Sequence, residues 1–489
     1  MPEFRNPVTS GNRAGNNNGS FTALAAGKDE RGIQELRALV TAASGKPAEQ
    51  DLIRIESKYS GGRAASLARF LIGYLHYSGQ DYSAAISSLD PARASSDLAI
   101  KDYVLYYRAQ SEAAASQGAG ALKDYRALAS NYTNSLMVHD AKVGVLRSEL
   151  ALGDTGAVLR DAASLVEAKN PDAMVLSAQA LEQTGKQAEA VALYRKVYFF
   201  HPASSASATA DDRLQALKVP PSDNPGTLEE ERARADGLFE SRQYSEALTV
   251  YNDLMARFPE AANDEVLLRR GVSLLNSRDA GEAAAAFARV SERDANLHAE
   301  ALYYRAEASR RAGQVADSSA TVERLISSHR ASHWASTALY NLATYLDKKG
   351  RADEAAAKYR QILSLYPETD YAAEASYNLG RRAYVDGQYA DAARILEQHL
   401  AKYRYPTSKF MGESGLWAAK SEEKIGNKRR ALALYDYTTE RYRYGYDGVI
   451  ASHRAIALKA AGSGLAPEEA KPGSDLEKIK QNLTAVQPV

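Results

Sequence analysis

Six positions in the 489-residue chain, Arg242, Arg278, Gly313, Gly350, Gly387 and Gly426, stand 36, 35, 37, 37 and 39 residues apart. Each sits between two runs with helical apolar spacing. In Ala338–Pro367, ALYNLATYLDKKGRADEAAAKYRQILSLYP, Leu342 and Ala343 fall on a first helix and Gly350 at a turn. Ala355 and Tyr359 fall on a second helix, which Pro367 stops. The same offsets place Ala178, Gly185, Ala190, Tyr194 and Pro202, and again Ala235, Arg242, Ala247, Tyr251 and Pro259. A two-helix unit cannot bury its apolar face alone. A chain of such units must stack them. The predicted fold is all-α, a solenoid of helical hairpins.

The residue types fit that geometry. A small residue on the first helix (Ala343, Gly380) lets the second approach closely, and Ala355 or Ala392 is its small counterpart. Tyr fills the space beside them. Glycine at the turn reaches positive φ and ends the first helix. Proline prevents continuation of the second. Period and pattern resemble the tetratricopeptide repeat, which implies an α-solenoid, or superhelix, of about ten or eleven hairpins. The first half is less regular, with pivots expected at Gly79, near Ser116–Gly120 and at Gly153. The 57 residues from Gly185 to Arg242 exceed one period, and the excess holds VPPSDNPGT. The expected organisation is a disordered segment over 1–28, a first solenoid segment over 29–218 and a Pro-rich break at 219–227. A second segment follows over 228–462, then a linker-like tail over 463–489 that includes a short helical stretch, DLEKIKQNL.

Composition narrows the function. Formal net charge is zero, which argues against a general nucleic-acid binder. No run of about 18 apolar residues exists to span a membrane. The absence of cysteine leaves no thiolate nucleophile, disulfide or Fe–S ligand. No phosphate loop, Gly-x-Gly-x-x-Gly or His-Glu-x-x-His occurs. No cofactor is expected. His329 and His333 are four apart and could share a helix face, as metal ligands do. Without a third ligand at useful spacing they read as a structural or solvent-facing pair, and no metal site is assigned. Gly118 and Gly120 read as a turn, and Lys428, Arg429 and Arg430 as a solvated face.

A more particular likeness rests on ALEQTGKQAEAVALYRKVYFFHPAS and, upstream, RAASLARFLIGYLHYSGQDYSAAISSLD and IKDYVLYYRAQSEAA. These resemble the α-helical superhelix of soluble lytic murein transglycosylases over roughly residues 30 to 460. That family joins the superhelix to a lysozyme-like domain that cleaves peptidoglycan in the periplasm with one Glu. The resemblance implies a non-catalytic scaffold of the cell envelope that binds a peptidoglycan strand or a partner protein segment. A catalytic domain would belong to a longer chain, and the peptidoglycan-cleaving activity with it. The alternative is a free-standing tetratricopeptide adaptor, in the envelope or the cytoplasm. The polar N-terminus has no apolar core of a signal peptide. The family's Gly-Leu-Met-Gln stretch is missing. Its Glu-Ser pair occurs at Glu56, Glu240 and Glu413 only inside repeat helices or their turns. None carries over as catalytic, and Glu413 reads as a solvated helix residue.

The candidate binding residues are aromatic and basic. Tyr303, Tyr340 and Tyr377 recur at a spacing of 37 on the first helix of successive repeats. Arg310, Arg381 and Tyr384 should lie near the same surface. Such a ladder can hold an extended peptide or stack on sugar rings, or it can fill the gaps between repeats. Tyr442, Arg443, Tyr444 and Tyr446, in ERYRYGYDG, are candidates for contact with a ligand or a neighbouring domain.

Overall fold

A computed structural model describes residues 27–404, 408–462 and 465–484. The segment expected to be disordered, 1–28, lies outside them except for its last two residues. The described chain is all-α, with 25 α-helices and no strand among the described residues. It divides into two compact units between Pro225 and Gly226. The first holds α1 (Lys28–Ala42), α2 (Glu49–Lys58), α3 (Arg63–Ser78), α4 (Tyr82–Ser88), α5 (Lys101–Ala114) and α6 (Gly118–Asn131). It continues with α7 (Val138–Ala151), α8 (Thr155–Glu167), α9 (Pro171–Gln183), α10 (Gln187–Phe200) and α11 (Ser205–Ala216). The second opens with α12 (Leu228–Glu240), α13 (Tyr244–Arg257), α14 (Asp264–Asn276), α15 (Ala280–Phe287), α16 (Ala295–Arg311), α17 (Val315–His329) and α18 (His333–Lys348). It closes with α19 (Ala352–Leu365), α20 (Asp370–Val385), α21 (Tyr389–Lys402), α22 (Met411–Lys424), α23 (Lys428–Tyr442), α24 (Tyr446–Ala461) and α25 (Asp475–Thr484). From α3 to α10 and from α12 to α23, consecutive helices pair as hairpins.

Each hairpin turns on one left-handed residue. Gly350, at φ 74°, donates its N–H to Asp347 O, and Arg351 N–H reaches back to Leu346 O, both at 2.9 Å. This closes the end of the first helix in a Schellman arrangement. Gly153, Gly185, Gly313, Gly387 and Gly426 do the same work, whereas Gln80, Ser116, Arg242 and Arg278 adopt positive φ without being glycine. One expected pivot is therefore displaced by a residue, Gln80 rather than Gly79 being left-handed, while Ser116 turns the next hairpin within the stretch expected for it. Gly118 and Gly120, expected as a turn, open α6 instead. Gly120 is needed there because the buried Glu112 carboxyl lies where its Cβ would stand, 2.8 Å away.

The crossing of the two helices follows one rule of volume. Seven residues before the turn stand Gly73, Ala109, Ala178, Ala235, Gly271, Ala306, Ala343, Gly380 and Ala419. Nine residues after it stand Leu89, Tyr125, Tyr194, Tyr251, Phe287, Val322, Tyr359, Leu396 and Tyr435. The two positions meet. A Cβ on Gly271 would lie 2.5 Å from the Phe287 ring, and one on Gly380 as close to Leu396. One hairpin inverts the arrangement: Leu146 on α7 faces Ala162 on α8, and both are buried in one cluster. Large and small exchange sides while the summed volume holds, as close packing demands.

Residues 463–489, expected as a linker-like tail, contain the docked helix α25. Leu476, Ile479 and Leu483 are buried in the core of the second unit. The Asn482 amide donates to Leu400 O at 2.8 Å and Ala401 O at 3.1 Å, satisfying carbonyls near the end of α21. Its apolar residues at spacings of three and four make the stretch amphipathic, so it packs rather than dangles.

Candidate functional site

Hairpins are joined to their neighbours in two ways. The first is a latch built on a buried tyrosine. Asp236 on α12 accepts a hydrogen bond from Tyr251 on α13 (2.6 Å) and an ion pair from Arg269 on α14 (2.9 Å). Glu182, Tyr194 and Arg213 repeat it across α9, α10 and α11, with Tyr to Glu at 3.1 Å. Glu423, Tyr435 and Arg454 repeat it across α22, α23 and α24, with Tyr to Glu at 2.8 Å. The second is an aromatic seam. Tyr303 packs on Trp334 with centroids 4.7 Å apart, Tyr340 on Tyr371 at 4.8 Å, and Tyr377 on Phe410 at 4.4 Å and 2°. In each pair the second ring comes from the next repeat. The hydroxyls are used as well: Tyr303 accepts from Asn341, Tyr340 donates to Glu374, and Tyr377 bonds Glu413.

The structure therefore places the predicted ladder at the joints between repeats. Tyr377 is buried, while Tyr303 and Tyr340 keep one edge accessible. Glu413 is a partly buried partner of Tyr377, not a solvated residue. Tyr384 leans on Tyr389 and Trp417, and Arg381 is exposed nearby.

Only Tyr303 and Arg310 of the predicted set line a cleft of about 480 Å³ in the second unit. Its floor crosses the first helices of three successive hairpins. Val272, Leu275 and Asn276 come from α14, Tyr303, Tyr304, Glu307, Arg310 and Arg311 from α16, and Asn341, Thr344, Tyr345 and Lys348 from α18. Tyr244, the first residue of α13, closes one side. Register explains the convergence, since stacked repeats bring the same helix face to the same side. Glu307 is gripped by both Arg310 and Arg311 (Nε to Oε2 and Oε1, 3.0 Å each), and the Arg310 guanidinium sits 5.0 Å above the Tyr345 ring. Arg310, Arg311 and Lys348 outnumber Glu307, so the cleft lining carries a net positive charge. Burial raises the Tyr303 and Tyr304 hydroxyls above the usual tyrosine range. They stay neutral hydrogen-bonding groups. Tyr244, Tyr304, Asn341 and Tyr345 do not stand out as one period of identical residues, because the repeats place different residue types at matching positions, as with Tyr304 and Asn341, 37 apart.

The other basic and histidine candidates resolve differently. His329 ends α17 and His333 begins α18, so they share no helix face. His329 Nε2 instead meets His298 Nδ1 at 2.8 Å, and His333 packs on Trp334. Among the described residues no group of three or more His, Asp or Glu could hold a metal. Lys428 and Arg429 are exposed, but Arg430 is fixed between Glu397 (2.6 Å) and Glu468 (3.0 Å). Tyr442 is half-buried, whereas Arg443, Tyr444 and Tyr446 are exposed.

The tetratricopeptide repeat family model matches residues 146–207, 268–333, 310–370 and 340–408. The chain carries tetratricopeptide repeats. No curated protein matches it. Similar solved structures include the TPR domain of P58(IPK), 17% identical over 74% of this chain and 99% of that one, TM-score 0.26. Another is the C-terminal part of a TPR repeat-containing protein from Cytophaga hutchinsonii, 14% identical over 63% and 98%, TM-score 0.26. A third is BtubC from P. vanneervenii, 15% identical over 51% and 97%, TM-score 0.29. Nothing in these comparisons links the chain to lytic transglycosylases. Among the described residues no helix is long and apolar enough to cross a membrane.

Proposed function

We propose that this protein is a non-catalytic interaction scaffold whose cleft across α14, α16 and α18 holds an extended, acidic segment of a partner protein. The convergence of Tyr244, Tyr303, Tyr304 and Tyr345 with Asn341 and three cations carries the reading. Tyrosine offers a large rigid face at small entropic cost and a hydroxyl for the peptide backbone. Arg310 and Lys348 supply charge for a carboxylate. A phage-displayed random-peptide library tests it. Selected sequences should be acidic, and a Tyr345→Ala/Arg310→Ala variant should lose roughly tenfold or more in affinity. Selection of no sequence, or selection unaffected by the variant, would overturn the proposal.

A second reading, a glycan-binding scaffold of the cell envelope, draws on the first unit. There Tyr74, Tyr77, Tyr103, Tyr106 and Tyr107 lie together on α3 and α5, each partly buried with some surface accessible. Aromatic faces of this kind stack on sugar rings. Co-sedimentation with purified peptidoglycan sacculi separates the readings: capture lost in a Tyr74→Ala/Tyr106→Ala variant favours the glycan, and no capture leaves the peptide cleft.

A further inference from the structure

The cleft is built from repeated positions. On α16 its lining residues Tyr304, Glu307 and Arg311 stand nine, six and two residues before the turn at Gly313. On α18 Asn341, Thr344 and Lys348 stand at the same distances before Gly350. Carried forward, these positions are Asn378, Arg381 and Val385 on α20, then Trp417, Lys420 and Lys424 on α22. Stacked repeats turn equivalent positions to one side, and neighbouring first helices touch one another from α14 to α22. The cleft surface therefore continues over α20 to α22.

There it meets a second aromatic corner. Trp417 packs on Tyr384 of α20 with centroids 4.8 Å apart, and Tyr384 on Tyr389 of α21 at 5.2 Å. The Lys420 ammonium lies 4.5 Å from the Trp417 ring centroid, and that of Lys424 5.8 Å from Tyr389. Among the described residues no carboxylate forms an ion pair with Arg381, Lys420 or Lys424. The acids nearby are engaged: Glu423 holds Tyr435 and Arg454, and Glu413 holds Tyr377. Asp386 pairs with Arg382, which also attracts Asp347. Burial and repulsion from Arg454 hold the Lys420 ammonium below the usual lysine range, and the attraction of Asp447 and Glu423 does not offset them. A partly buried cation without a counter-ion is costly. An anion laid beside Trp417 removes that cost.

We infer that Trp417, Lys420 and Lys424, with Tyr384 and Arg381, form a second station for the same acidic partner segment, which runs from the cleft across α20 to α22. This rests on the cleft reading above. Three steps between touching helices, at 8–10 Å each, span roughly 24–30 Å. An extended chain covers that in about seven to nine residues, so the segment carries two acidic clusters that far apart.

The chain has two tryptophans, which supplies the reporter. In Trp334→Phe, Trp417 is the sole tryptophan, and its fluorescence reads the second station. The probes are a glutamate tetramer and a glutamate dodecamer, about 13 and 40 Å long when extended. The dodecamer should change Trp417 emission and bind roughly tenfold or more tighter than the tetramer, because the second contact is intramolecular. Lys420→Ala/Lys424→Ala should remove both the emission change and the gain. Arg289→Ala/Arg360→Ala, which removes two exposed cations away from these positions, should remove neither. Equal affinity for the two lengths, a silent Trp417, or an equal loss in Arg289→Ala/Arg360→Ala would overturn the second station and leave the cleft standing. The cleft variant Tyr345→Ala/Arg310→Ala should weaken both peptides. A dodecamer that binds that variant undiminished would overturn the cleft reading and the shared segment together.

Discussion

Helices α11 and α24 occupy the same structural position and wear opposite surfaces. Both follow a complete hairpin, and both are tied to it by an arginine on a carboxylate that a buried tyrosine also holds. Among the described residues no further helix covers either one. Helix α11 meets water with Ala208, Asp212 and Gln215, α24 with Val449, His453 and Ile456. The backbone of a repeat fixes how an end is attached. The outward side chains alone decide which surface that end presents.

The largest test of this division lies in the interior, where a second helix does cover the first. Leu146→Ala should leave a cavity against Ala162 and cost about 2–5 kcal/mol. Adding Ala162→Leu should recover part of it, measured by urea unfolding. Ala208→Leu on uncovered α11 should change stability by less than about 0.5 kcal/mol.

Next come the latches. Arg213→Met and Arg454→Met should each cost about 1–2 kcal/mol, since each strips a charged partner from a partly buried carboxylate. Unequal losses would show that the two ends are not attached alike.

A smaller effect separates the ends by pH. Beside the latch Glu423 stands Glu422, whose carboxyl burial pushes up to about 7, with Glu397 adding repulsion. Beside the latch Glu182 stands apolar, buried Leu181. Between about pH 4.5 and 7 the folded chain keeps a proton on Glu422 that the unfolded chain has released. Stability from this group therefore declines as pH rises through that window. Urea unfolding at pH 5 and pH 8 should show a smaller loss in Glu422→Gln than in the parent.

The smallest effect on stability comes from giving α24 the face of α11. Val449→Ala/His453→Asp/Ile456→Gln should leave folding within about 0.5 kcal/mol of the parent, measured by urea unfolding.

Much of the fold was legible because the hairpin is a local object. Turn residues, the small residue seven before and the knob nine after all lie within one period, so Gly350, Ala343 and Tyr359 announce themselves. The joints between repeats were not legible in the same way. Trp334, Tyr371 and Phe410 receive the ladder tyrosines from 31 to 33 residues downstream, an offset that differs from the period. The spacing of 37 alone is the same for a ladder that faces a ligand and one that faces its neighbour. The cleft was half legible: Tyr303 and Arg310 stood out, but Tyr345 and Asn341 gain meaning only when three helices are laid side by side. Gly118 and Gly120 misled because a glycine pair signals a turn unless the buried acid it accommodates is known.

Helix α25 gives the second unit a calendar. Asn482 closes onto carbonyls 82 and 81 residues earlier. At roughly 5–20 residues per second, a chain leaving the ribosome waits on the order of ten seconds between making α21 and making its last partner. Until α25 emerges, the seat of Leu476, Ile479 and Leu483 on α21 and α23 stays an open apolar surface. The end of the molecule that is assembled last is thus the one a chaperone meets longest.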